Sequence, residues 1–123
     1  MLDHLGMQCA DLASSASFYD TVLAPLGGSR IMDFGVAIGY GVPPKPDFWI
    51  SAQTDGDGFR QSHIAFEASS RGLVDAFHAA GLEAGGSDNG EPGMREHYHP
   101  TYYGAFVRDP DGNNIEVVCH KPE

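Results

Sequence analysis

Apolar and polar residues alternate in three short runs of this chain, and that alternation predicts strands. Leu5, Met7 and Cys9 interleave with His4, Gly6 and Gln8, and Ile64 and Phe66 interleave with His63, Ala65 and Glu67. Near the end, Ile115, Val117 and Cys119 interleave with Glu116, Val118 and His120. After the first two runs the apolar spacing lengthens to that of a helix. Asp11 caps one carrying Leu12, Phe18, Tyr19, Val22 and Leu23; Ser69 or Ser70 caps another carrying Leu73, Val74, Phe77 and Ala80, with Gly81 as its stop. Further strands are predicted over 30–34, 36–40 and 48–51 in the first half, and over 82–84 (weakly), 103–108 and 115–119 in the second. The Asp109-Pro110-Asp111-Gly112-Asn113 run marks a tight turn, and the polar, Gly/Pro-rich stretch 87–101 reads as a long loop with a function.

The pattern repeats. His4 precedes Phe18 by the same 14 residues that separate His63 from Phe77, and Gly pairs follow each helix at 27–28 and 85–86. A common offset of about 59 residues points to a duplicated unit. The prediction is one domain over 1–123, with unit 1 spanning about 1–53, a linker at about 54–60 and unit 2 at about 61–123. Each unit reads as βαβββ, an α+β fold with helices covering one face of antiparallel sheets.

Composition narrows the function. The 123 residues carry 17 acids against 7 Lys and Arg, a net charge of -10, which argues against nucleic acid as a partner. No apolar run approaches the length of a membrane span, and Asp3 and His4 interrupt any leader-like start, so a cytoplasmic protein is expected. Cys9 and Cys119 belong to no metal or redox motif and read as buried free thiols. The helix-bearing His78 reads as solvated.

Strand parity places His4, His63 and Glu116 on the polar faces of three strands, where an open sheet exposed to water would suffice to explain them. The pattern of His4 before the Phe18-Tyr19 helix, His63 opening the second unit, and the terminal Asp109-Pro110-Asp111-Gly112-Asn113-Asn114-Ile115-Glu116 resembles the glyoxalase/bleomycin resistance protein/dioxygenase group, the vicinal oxygen chelate superfamily. The resemblance covers nearly the whole chain. It implies two tandem βαβββ units forming a curled mixed sheet around a cleft, helices on the outside, with units paired within one chain or across a homodimer.

Carried over residue by residue, the resemblance makes His4, His63 and Glu116 the ligands of a divalent metal ion (Fe, Mn, Ni or Zn). Two imidazoles and a carboxylate leave positions open for a small-molecule ligand. Trp49 stands where glyoxalase I-like relatives have a second carboxylate. Phe106 stands where ring-cleaving relatives have a tyrosine. Trp49, Phe106 and Tyr102 are expected to wall the pocket, and Arg95 and His97 to contact the substrate from a loop (95–99) that closes over the cleft. The implied function is a metal-dependent lyase, isomerase or dioxygenase, and the alternative is a ligand-sequestering protein of the bleomycin-resistance type.

Overall fold

The computed structural model describes residues 1–53, 56 and 58–123. Of the expected linker, residues 54, 55 and 57 therefore lie outside the described residues. The first unit contains β1 (Leu5–Cys9), α1 (Leu12–Leu23), a short 3-10 turn (Ala24–Leu26), β2 (Ser29–Asp33), β3 (Ala37–Gly41) and β4 (Phe48–Ala52). The second contains β5 (His63–Glu67), α2 (Arg71–Glu83), β6 (Ser87–Met94), β7 (Tyr103–Arg108) and β8 (Asn114–Cys119).

Each unit forms one four-stranded sheet, in the order β1-β4-β3-β2 and β5-β8-β7-β6. The sheets are mixed rather than antiparallel, because the first strand of each unit lies parallel to its last. A helix joins the first strand to the rest of the unit, and such a crossover brings the chain back in register for parallel pairing. Parity holds as expected. Met7, Cys9, Ile38, Tyr40, Phe48 and Ile50 in one sheet, and Ala105, Val107, Ile115 and Val117 in the other, are buried on the helix side. Their apolar side chains join those of α1 and α2 in one core that runs through both units.

Both helices start at predicted caps: Asp11 accepts the Ser14 N–H at 3.2 Å and Ser70 accepts the Leu73 N–H at 3.3 Å. Three sequence expectations need correction. Gly81 does not stop α2, so 82–84 is not a strand. Gly81 is buried where a Cβ would lie 3.1 Å from Val107, so it is small to let helix and sheet approach, and the helix turns off at Gly85 with φ +94°. The stretch 87–101 is not one long loop either, since Ser87–Met94 is β6. As an edge strand it pairs only with β7, through a register broken on both sides of Gly90, and it needs no apolar alternation. His78 is buried, not solvated. Its Nε2 lies 2.8 Å from Asp88 Oδ1, which ties α2 to β6. Hydrogen bonding to His78, reinforced by the Gly90 N–H, holds the Asp88 carboxyl below the usual range. Cys9 and Cys119 are buried free thiols.

The two units are locked together at the 109–113 turn. The buried Asp109 carboxylate accepts the Tyr19 hydroxyl at 2.6 Å, the Asn113 side-chain amide and main-chain N–H at 2.9 Å each, and the Asp111 N–H at 3.0 Å. Burial, then the Asp109 carboxylate, pushes the Tyr19 phenol far above its ordinary value, so it stays a donor. Asp111 reaches back to the Ala10 N–H and the Ser15 hydroxyl. Asp109→Ala orphans three buried donors and one half-buried one and should cost about 3 kcal/mol in urea unfolding, against about 1 kcal/mol for Tyr19→Phe. Equal effects of the two variants would show that the carboxylate is not the hub.

Candidate functional site

On the face of the second sheet away from the helices, pairing register brings the sequence candidates into a row. Ala65 on β5 pairs with Glu116 on β8, Glu116 pairs with Phe106 on β7, and Phe106 pairs with Gly90 on β6. His63, two residues before Ala65, points from the same face. Its Nε2 lies 3.2 Å from Glu116 Oε1. Its Nδ1 lies 3.0 Å from the Asn114 carbonyl oxygen. A carbonyl only accepts, so Nδ1 carries a proton and donates to it, which leaves Nε2 facing the carboxylate. At that separation either a proton or a cation joins Nε2 to Oε1. A main-chain acceptor that fixes the tautomer of a ligating imidazole is a recurrent support of metal sites.

Glu116 is almost fully buried, while the His63 side chain is about half exposed (4% against 49%). The second carboxylate oxygen, Oε2, accepts the Tyr102 hydroxyl. Tyr102, just before β7, and Gly104 and Phe106 within it share the open face by alternation. Gly104 makes room, since a Cβ there would come within 3.2 Å of the Tyr102 ring and 3.5 Å of Glu116 Oε2. Burial, then the hydrogen bond to Glu116, raises the Tyr102 phenol above its ordinary value. Phe106 lies beside the His63 ring at 6.3 Å between centroids and 24° between planes. The Arg95 guanidinium lies 5.7 Å from the Phe106 centroid. Glu116, His63, Tyr102, Phe106 and Arg95 therefore form one cluster.

His97 stands outside that cluster. It packs on Tyr98 at 4.2 Å, and Tyr98 in turn meets Tyr102 at 5.1 Å. The segment that carries it is a compact turn, closed by Arg95 N–H to the Tyr102 carbonyl at 2.7 Å and by Tyr98 N–H to the Arg95 carbonyl at 2.9 Å.

His4 and Trp49 belong to the other sheet. His4 is exposed, with Nδ1 2.6 Å from Asp3 Oδ1, and among the described residues no three His, Cys, Asp or Glu side chains form a metal-holding group. His63 and Glu116 are thus brought together in one chain, and His4 is not brought to them. A cavity of about 710 Å³ opens instead between β1, residues 58–62 and the 110–113 turn, with none of the predicted site residues in its lining. The half-site on the second sheet is an open face in the single chain.

Register also fixes what Trp49 replaces. Gly6 pairs with Trp49 and Trp49 with Gly39, the row equivalent to Ala65, Glu116 and Phe106. Trp49 therefore holds the position of Glu116 in the first unit. Its indole lies over Gly39, where a Cβ would meet the ring at 2.8 Å, and it stacks on Phe34 at 6.1 Å with 6° between planes. The exposed Phe34 signals this platform only weakly in sequence, because it lies at a strand end with no repeat partner. Gly39→Ala should displace the indole while leaving the fold intact. The emission of the single tryptophan should shift, with a loss of stability below about 1.5 kcal/mol. Unchanged emission would mean that the indole does not rest on Gly39.

Residues 1–117 match the family model described as Glyoxalase/Bleomycin resistance protein/Dioxygenase superfamily. A glyoxalase/bleomycin resistance protein from Albidiferax ferrireducens T118 is similar in structure with a TM-score of 0.86 and 34% identity, over 97% of this chain and 98% of that one. A glyoxalase/dioxygenase from Nostoc punctiforme is similar with a TM-score of 0.72 and 22% identity, covering 100% and 92%. Lactoylglutathione lyase from Agrobacterium tumefaciens gives a TM-score of 0.69 at 17% identity, covering 97% and 92%. The latter two show a shared fold alone. No curated protein matches the sequence significantly. On the family model and the 34% identical structure, the chain belongs to the glyoxalase/bleomycin resistance protein/dioxygenase superfamily.

Proposed function

We propose that this chain is a metal-dependent enzyme acting on a small molecule through a His-His-Glu site. The observation that carries the reading is the His63–Glu116 pair, with Nε2 and Oε1 3.2 Å apart and Nδ1 spent on a main-chain carbonyl. These residues fit a divalent cation: one imidazole of fixed tautomer, one buried carboxylate, and a phenol that orients the carboxylate. His4 is the third ligand and comes from a second copy of the chain. The open face of the first sheet supports this, since Phe34, 67% exposed, stacks on Trp49 in an apolar platform that a second copy would cover. Placing that face against the second sheet of another copy, and the reverse, gives a two-fold homodimer with two equivalent sites.

A bound ion of this kind supplies Lewis-acid polarisation of substrate oxygens, chemistry common to lyases, isomerases and dioxygenases. The chain's own residues do the rest. Glu116 is oriented by the Tyr102 hydroxyl, His63 turns its Nε2 toward that carboxylate, and Phe106 and the Trp49–Phe34 stack wall the ligand. His97 is placed near enough to the Tyr98–Tyr102 contact to approach a ligand from the β6–β7 turn. The stacked Trp49–Phe34 platform, on a chain of charge -10, also suits a sequestering protein that binds a cationic aromatic ligand without catalysis.

Metal analysis of protein purified without chelator, paired with light scattering, tests the reading. A dimer with about one ion per chain is expected, and His4→Ala, His63→Ala and Glu116→Ala should each abolish retention. Tyr102→Phe should weaken affinity by about 10-fold. A folded wild-type chain that refuses added Fe, Mn, Ni and Zn would leave the sequestering reading in its place.

A further inference from the structure

The sequence of β6, Ser87–Met94, is poor strand material, and the open face of the second sheet explains it. The Arg95 guanidinium lies across the Phe106 ring, held by two main-chain carbonyls: Nη1 donates to Gly93 at 2.8 Å and Nη2 to Glu91 at 2.7 Å. Glycines clear its bed. A Cβ at Gly90 would come within 2.8 Å of the Phe106 ring and 3.4 Å of Arg95 Nη2, and one at Gly93 within 3.1 Å of Nη1. Gly90 also has φ +153° and sits between two breaks in the β6–β7 register. The edge strand is bulged and stripped of side chains where the guanidinium sits beside Phe106.

Among the described residues no carboxylate pairs with that guanidinium. Arg30, Lys45 and Arg71 lie within 2.7, 3.3 and 3.6 Å of carboxylates, Arg108 is taken up by Gln61, Asn89 and the Gly112 carbonyl, and the exposed Arg60 and Lys121 have no carboxylate partner among the described residues. Among the described residues Arg95 has only neutral carbonyl partners, in a chain with ten more acids than bases. Two carbonyls fix its plane and leave three of its five N–H donors.

We infer that Arg95 is the anion-binding group of this site, and that the ligand is a small planar organic carboxylate. Its carboxylate pairs with the guanidinium fork, its flat body lies on Phe106 beside the His63 ring, and its far end reaches the His63–Glu116 pair. This rests on reading the open face of the second sheet as the ligand site, but not on a metal being bound there.

Benzoate and its neutral isostere benzamide are the probes, titrated by calorimetry into the full chain, both as purified and after chelator treatment. Benzoate should bind at least about 10-fold tighter than benzamide in both preparations, as a charge-assisted pair requires. Arg95→Gln should abolish that preference, and Glu116→Ala, which removes the metal ligand, should keep it. If Arg95→Gln does not fold, Gly93→Ala, which crowds Nη1, should reduce the preference instead. Equal binding of the two probes, no benzoate binding, or a preference that survives in Arg95→Gln overturns the inference. A preference seen only in metal-loaded protein and lost in Glu116→Ala also overturns it, while leaving the metal reading intact. A missing metal with the preference preserved does the reverse.

Discussion

The buried carboxylate of Asp109 is the constraint from which the placement of the site follows. A charge in that position is tolerable only because four donors converge on it, one of them the Tyr19 hydroxyl from the helix of the other unit. The same contacts shape the turn that leads into β8, and Asn113 extends the order by accepting the Ser62 N–H at 2.8 Å, just before β5. One polar hub therefore sets where β5 and β8 begin. Those strands carry His63 and Glu116, whose 3.2 Å approach depends on a register that leaves no room for a slip.

The two sheets share one topology but present different surfaces. In equivalent register, one row reads Gly6, Trp49, Gly39 and the other Ala65, Glu116, Phe106. Bulk has exchanged places. The first sheet flattens its central strand to a glycine so that an indole can lie across it. The second puts a carboxylate on the last strand and an aromatic ring next to it. The result is an apolar platform on one sheet and a polar cluster on the other, presented on faces that the helices leave uncovered.

Much of this was legible in the chain itself, because the strongest signals are local. Capping by Asp11 and Ser70, the alternation in β1, β5 and β8, and the turn at 109–113 each depend on residues within a few positions of one another. His63 and Glu116 were singled out by strand parity and by family resemblance, and the structure brings them together with Tyr102, Phe106 and Arg95. What misled was also local. Gly81 looks like a helix stop, yet it is a contact with Val107, a residue 26 positions away. The Gly/Pro-rich β6 looks like a loop because an edge strand paired on one side does not need an apolar face.

The sequence by itself determined the two βαβββ units, the helix boundaries at their starts, and the side of each strand on which the candidate residues stand, since periodicity and capping act over a few residues. Tertiary structure alone decided which candidates meet. Cross-strand register set the His63–Glu116 pair and laid Arg95 on Phe106, helix packing buried His78 against Asp88, and the separation of the two sheets kept His4 apart from His63 and Glu116. Each of these depends on contacts between residues distant in the chain, where the spacing of residues carries no information until the strands have paired.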